Sequence, residues 1–127
     1  MPFICPACHR LKTLRITDRI ELSPDARSDE ITLQLIKCSQ CGFCGVAVYE
    51  ESRRGALDSE SWHHTGYGLA QDQIDQIRKA ISRCPDSSNS RCQCASHRSL
   101  GKKDPEGIWD GLSNLDLEDP FPLQYSR

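Results

Sequence analysis

Bulky apolar side chains are scarce in this sequence: nine isoleucines, twelve leucines, two valines and three phenylalanines make up little more than a fifth of its 127 residues. That share lies at the edge of the compositions that favour disorder, so hydrocarbon burial alone is not expected to hold a fold together. No run of 18 apolar residues is present, which argues against a helical membrane span. Residues 1–10 show no charged segment followed by an apolar one, so no secretory leader is expected and the chain is read as soluble and cytoplasmic. The phosphate-cradling patterns G-x-x-x-x-G-K-S/T and G-x-G-x-x-G are missing, as is any legible Ser-His-Asp or Cys-His pairing. A small-molecule substrate and an enzymatic role are accordingly not expected.

Cysteine, by contrast, is abundant, with eight residues. Disulfide frameworks scatter cysteines through secreted chains, whereas metal sites bring them in C-x-x-C pairs. Two such pairs are plain, Cys5-Pro6-Ala7-Cys8 and Cys38-Ser39-Gln40-Cys41, the second followed directly by Gly42. A tight turn over C-x-x-C aims both sulfurs at one ion while its amides stabilise their charge. A glycine just beyond supplies the positive φ or close approach such a turn needs. Four thiolates complete the tetrahedral set of a structural zinc.

Between the pairs, Leu14, Ile16, Ile20 and Leu22 recur at even spacing, broken by Asp18, and Ile31, Leu33 and Leu35 do the same after the polar stretch 23–30. This predicts a long β-hairpin, with a third strand over 46–50. CPAC, a hairpin, CSQCG and a third strand together resemble the zinc ribbon family over about residues 3–54. The resemblance implies a ribbon fold and a zinc ion. It implies no single function, because ribbons occur in transcription factors, RNA polymerase subunits, ribosomal proteins and as modules of enzymes. One departure is His9, which stands where such ribbons often have glycine. Cys44 extends the second pair to C-x-x-C-x-x-C, which reads either as a small buried residue or as part of an iron-sulfur ligand set.

Residues 69–83 predict a helix, since Ala70, Ile74, Ile77 and Ile81 fall on one stripe and the acidic-to-basic order from Asp72 to Arg83 suits the helix dipole. Pro85 ends it. Beyond it, Cys84, Cys92, Cys94 and His97 form a second candidate zinc set of three thiolates and one imidazole. Alternatives are His63 or His64 in place of His97, a disulfide within the loop, or free thiols. The stretch 61–68, with Trp62, His63, His64 and Tyr67, reads as a packing linker, a metal or acid-base site, or an aromatic platform for a nucleobase.

Residues 1–20 and 84–103 each carry a net charge of +3, whereas 104–127 carry −5. Arg10, Lys12, Arg15 and Arg19 flank the first pair, and Arg91, Arg98, Lys102 and Lys103 flank the second cluster. These eight are candidate contacts to nucleic-acid phosphates, or else solvated faces and counter-charges to the zinc-thiolate centres. The acidic tail, with Ile108, Trp109, Leu112, Leu115, Leu117, Phe121 and Leu123, either docks on the domain or offers these side chains to a partner.

The expected architecture is a small, metal-stabilised α+β protein. It comprises a three-stranded antiparallel zinc ribbon (1–54), a linker, one helix and a second zinc loop packed on the ribbon (55–103), and an irregular acidic tail (104–127). Two zinc ions per chain are expected, in a non-enzymatic adaptor for nucleic acid or a nucleic-acid-handling assembly. The alternatives are a protein-protein adaptor acting through the tail and a metalloenzyme or iron-sulfur redox protein.

Overall fold

The computed structural model describes residues 3–52, 61–115 and 117–123. The order of the strands along the chain is also their order in the sheet. Strands β1 (Phe3–Ile4), β2 (Leu11–Leu22), β3 (Glu30–Cys38), β4 (Cys44–Ser52), β5 (Ser61–Gly68) and β6 (Pro120–Pro122) make one antiparallel sheet in the order β1-β2-β3-β4-β5-β6. The α+β class agrees with the sequence, but among the described residues the sheet has six strands rather than three. Residues 61–68, expected to be a linker, are a strand that pairs along the whole of β4 from Gly45↔Gly68 to Ser52↔Ser61. Two glycines and two histidines give this strand little apolar periodicity, which hid it. The pairing of β4 with β5, and of β5 with β6, carries the sheet across the expected boundaries at 54 and 104.

A bulge in β2 corrects the hairpin reading. Ile16 pairs with Ile36 and Asp18 with Leu35, which leaves Thr17 as an extra residue. An inserted residue reverses the parity of every side chain beyond it. Leu14 and Ile16 therefore lie on one face, with Ile36 and Cys38, whereas Ile20 and Leu22 lie on the other, with Leu33 and Ile31. The evenly spaced apolar series serves two cores instead of one. Ile16 is left 41% exposed.

The larger core joins Ile20, Leu22, Ile31, Leu33, Leu35, Val46 and Val48 of the sheet to Ile74, Ile77 and Ile81 of helix α1 (Gln71–Arg83) and to Leu100 of helix α2 (Ala95–Leu100). Ala70, expected on the apolar stripe, is instead the exposed N-cap of α1. Asp18, which breaks the alternation of β2, points to this helix and pairs with Arg78 at 3.0 Å. The single expected helix is thus joined by a second, α2, inside the expected metal loop. The smaller core, on the opposite face, gathers Cys5, Leu14, Ile36, Cys38, Ala47 and Leu123, with Phe43 and Phe121 packed against it.

The tail docks. Trp109, Leu112, Leu115 and Leu117 pack on the larger core, and Phe121 and Leu123 on the smaller one. Phe121 lies over Gly66, where an added Cβ would meet its ring at 2.5 Å. Buried Asp25 holds the segment in place. Its carboxylate accepts from the amides of Arg27 (2.8 Å), Ser28 (2.6 Å) and Trp109 (2.8 Å), and these bonds outweigh burial to draw its pKa below the usual carboxylate value. No helix among the described residues is long and apolar enough to cross a membrane.

Candidate metal centres

The first cluster is built from two knuckles with the same backbone plan. Cys5 N donates to Arg10 O at 3.2 Å and Cys38 N to Phe43 O at 2.8 Å, so each knuckle closes across five residues. In each, the residue after the second cysteine turns left-handed: Gly42 at φ 77° and His9 at φ 61°. His9 therefore adopts the conformation that glycine serves in the other knuckle, at the cost of placing a Cβ in the left-handed region. Pairing of β1 with β2 and of β2 with β3 brings the knuckles face to face. Cys5 Sγ lies 3.7 Å from Cys41 Sγ and Cys8 Sγ 3.8 Å from Cys38 Sγ. All four sulfurs lie within 4.8 Å of one another.

The environments of these sulfurs differ. Burial pushes the Cys5 thiol up to about 12. Burial also opposes ionisation of Cys38, but the Thr13 hydroxyl at 3.3 Å and the amides of Cys41 (3.5 Å) and Gln40 (3.4 Å) prevail and bring it down to about 6. Thr13 is a supporting residue that C-x-x-C spacing does not reveal, because it reaches the sulfur from the neighbouring strand.

The second cluster forms where α1 ends and α2 begins. Cys84 is the C-cap of α1, and Cys94 is the N-cap of α2, its sulfur accepting from His97 N at 3.4 Å. That amide, with the His97 ring, draws Cys94 down to about 6 against burial, while burial raises Cys84 to about 11. Cys84 Sγ lies 3.8 Å from Cys92 Sγ, and His97 Nδ1 lies 3.1 Å from Cys84 Sγ and 3.3 Å from Cys94 Sγ. Again all four donor atoms fall within 4.8 Å. His97 Nε2 donates to the carbonyl of Glu21 at 2.9 Å, and Glu21 N donates to Ser87 O at 2.8 Å. The outer nitrogen is thereby committed as a donor, which leaves Nδ1 for a metal and fixes the ring. Glu21 could not be found from the sequence, because its contribution is backbone alone.

Either cluster could hold a metal ion, and the chain has no disulfide among its described cysteines. His63 and His64 stay outside the second cluster. His63 is exposed on β5, and His64 lies 2.7 Å from Gln34 on the sheet face opposite α1. Cys44 is also separate: its sulfur faces Leu69 O at 3.5 Å and packs on the larger core. It follows Cys38 by six residues, but a turn and a change of strand put the two on opposite faces.

The described basic candidates differ in their surroundings. Arg10 donates to Gln40 in the second knuckle at 3.0 Å, and Arg19 pairs with Glu21 at 2.9 Å. Arg15 stands exposed opposite Lys37 across the β2–β3 ladder. The Lys12 and Trp62 side chains lie outside the described part of the structure. Arg91, Arg98, Lys102 and Lys103 are exposed around the second cluster and have no carboxylate partner among the described residues.

Comparison of the chain with protein-family models, with curated proteins and with solved structures finds no match in any of the three. What is shown is therefore a small α+β fold with two four-donor clusters able to take metal.

Proposed function

We propose that this chain is a two-zinc scaffold, without catalysis of its own, that binds nucleic acid or a component of a nucleic-acid-handling assembly. The observation that carries the zinc part is the spacing of the sulfurs. A regular tetrahedron with Zn–S bonds of about 2.3 Å has S–S edges of about 3.8 Å, and sulfur pairs stand at 3.7 and 3.8 Å in the first cluster and 3.8 Å in the second. Cys₄ and Cys₃His are closed structural sets, with no coordination position left for a substrate. That favours a scaffold over a metalloenzyme. The placement of Cys44 outside both clusters favours zinc over an iron-sulfur centre built on C-x-x-C-x-x-C.

Nucleic acid is favoured as the partner by the exposed Arg91, Arg98, Lys102 and Lys103. Contacts of such residues to phosphates position a protein on its target without reading sequence. The alternative in which the tail captures a protein is less favoured, because Trp109, Leu112, Leu115, Leu117, Phe121 and Leu123 are engaged in the two cores.

Native mass spectrometry before and after chelation tests the metal part. Two zinc ions per chain and a colourless protein are expected, and an iron-sulfur absorption band would overturn the reading. Salt-dependent binding to single- and double-stranded DNA and RNA tests the partner. Affinity should fall as salt rises, and failure to bind any of them at low salt would remove nucleic acid from the proposal.

A further inference from the structure

A cleft of about 200 Å³ opens beside the second cluster, lined by Ser23, Ser90, Gln93, Arg98 and Lys103 together with Cys92, His97 and Gly101. Three separate segments build it: Ser23 just past β2, the metal loop, and α2 with the residues that follow it. The hydrogen bonds of Ser87 O and His97 Nε2 to Glu21 hold the loop and α2 against β2. Lys103 Nζ is itself held by Ser23 Oγ at 2.9 Å. No aspartate or glutamate lines the cleft, so two cations, two hydroxyls and a carboxamide face it without a carboxylate among them.

Charge and size narrow the ligand. A zinc ion with three thiolates and one neutral imidazole has a net charge of −1. That charge would offset part of the positive charge of Arg98 and Lys103 and leave a modest excess in the cleft, suited to a singly charged phosphodiester. The volume lies below the ~300–1,000 Å³ of pockets that enclose whole small-molecule ligands, so the cleft suits one group of a larger molecule. The neighbouring cleft shares Ser90 and differs in its lining, which includes Arg19, Glu21, Asp29 and Glu30.

We infer that the cleft formed by Ser23, Ser90, Gln93, Arg98 and Lys103 seats one backbone phosphodiester of a bound nucleic-acid strand. Arg98 and Lys103 supply the charge, and the serine hydroxyls and Gln93 amide supply neutral donors. The inference rests on the nucleic-acid reading of the preceding subsection and gives it a location. Zinc in the second cluster fixes the loop and helix that carry these groups, so the seat is formed in the metal-loaded chain.

The test uses the full zinc-loaded chain, an oligothymidylate and, separately, inorganic phosphate, followed by amide chemical shifts and by affinity as a function of salt. Binding of the oligonucleotide should move the amides of Ser23, Ser90, Gln93, Arg98 and Lys103. The double variant Arg98→Gln/Lys103→Gln, with its zinc content verified, should lose one phosphate contact. The slope of log K against log salt then falls by about 0.7, and affinity by about fivefold at ~0.1 M salt. The control Lys37→Gln/Lys79→Gln removes the same charge elsewhere and should leave the slope unchanged. If the oligonucleotide binds but the two double variants behave alike, the cleft is not the seat, although the nucleic-acid reading survives. Phosphate shifting these amides while the oligonucleotide does not bind would overturn the inference in favour of a free-anion site and would also count against nucleic acid. No binding of either probe sinks both.

Discussion

The first cluster draws its sulfurs from two knuckles that repeat one backbone plan, with Cys5 and Cys41 36 positions apart. The second gathers its donors from a single stretch, with Cys84 and His97 13 positions apart, and has no internal symmetry. The knuckles bring much of their own hydrogen bonding, through Cys5 N–Arg10 O and Cys38 N–Phe43 O. The second cluster leans on the sheet, since its histidine and its loop are both tied to Glu21. A metal in the first therefore closes a long section of chain and clamps the open end of the sheet. A metal in the second clamps a polar loop and a short helix onto a sheet already formed. The entropy of the longer closure alone favours the first by about 1 kcal/mol.

The largest expected effect follows from removing a ligand of the first cluster. If the clusters hold the proposed zinc, Cys38→Ser should empty the first site and cost several kcal/mol in denaturant unfolding, because Cys38 is 1% exposed and sits in the smaller core. Cys84→Ser should release the other ion at a smaller cost, with faster amide exchange confined to residues 84–97 and Glu21. The comparison breaks if losing either ligand empties both sites. In both clusters metal must displace protons from thiols that burial raises, Cys5 to about 12 and Cys84 to about 11. Zinc loading should therefore weaken as pH falls and release protons in an unbuffered titration.

Asp25→Asn comes next, because it takes the charge from a buried acceptor of three amides and loosens the attachment of Trp109. A loss of about 1–3 kcal/mol is expected at neutral pH. The folded-state pKa of Asp25 is depressed, so its contribution is present above the unfolded carboxylate value and disappears as pH falls through the folded one. The stability gap between wild type and variant should close in that acidic range, and a gap independent of pH would assign the effect to packing.

Smaller effects probe the likeness of the two knuckles. Gly42→Ala should cost about 1–2 kcal/mol, since it places a Cβ on a residue at φ 77°. His9→Gly should change stability in the opposite direction by at most about 1 kcal/mol, relief of the left-handed strain being partly offset by a freer unfolded chain. A large loss from His9→Gly would mean that the imidazole contributes something beyond the turn.

Much of the first cluster and of the first three long strands was legible because both rest on local rules: C-x-x-C followed by a left-handed residue, and alternation in Ile31, Leu33, Leu35, Val46 and Val48. Helix α1 was legible for the same reason, through its Ile74, Ile77 and Ile81 stripe and Pro85. Strand β5 was not, because its pairing is decided by β4 on one side and β6 on the other, while its own sequence of glycines, histidines and aromatics states no preference. The course of β2 was only half legible, since one unpaired residue at Thr17 divides a regular apolar series between two faces. For the tail, composition allowed either docking or exposure, and the contacts of Trp109 with Asp25 and of Phe121 with Gly66 chose docking.

The sequence by itself determined which donors are available and marked Cys5, Cys8, Cys38 and Cys41 as one set of four, because metal-ligand chemistry depends on residue type and short spacing. The scarcity of bulky apolar residues also stands, but tertiary structure gave it a different meaning. Most large apolar side chains among the described residues, including six of the tail, are used in one of two cores on opposite faces of the sheet. Only the fold could decide which histidine joins Cys84, Cys92 and Cys94, because that choice turns on a hydrogen bond from His97 to a backbone carbonyl 76 positions away. It also decided that Cys44 joins neither set, since strand parity, and not nearness in sequence, determines which face of a sheet a side chain occupies.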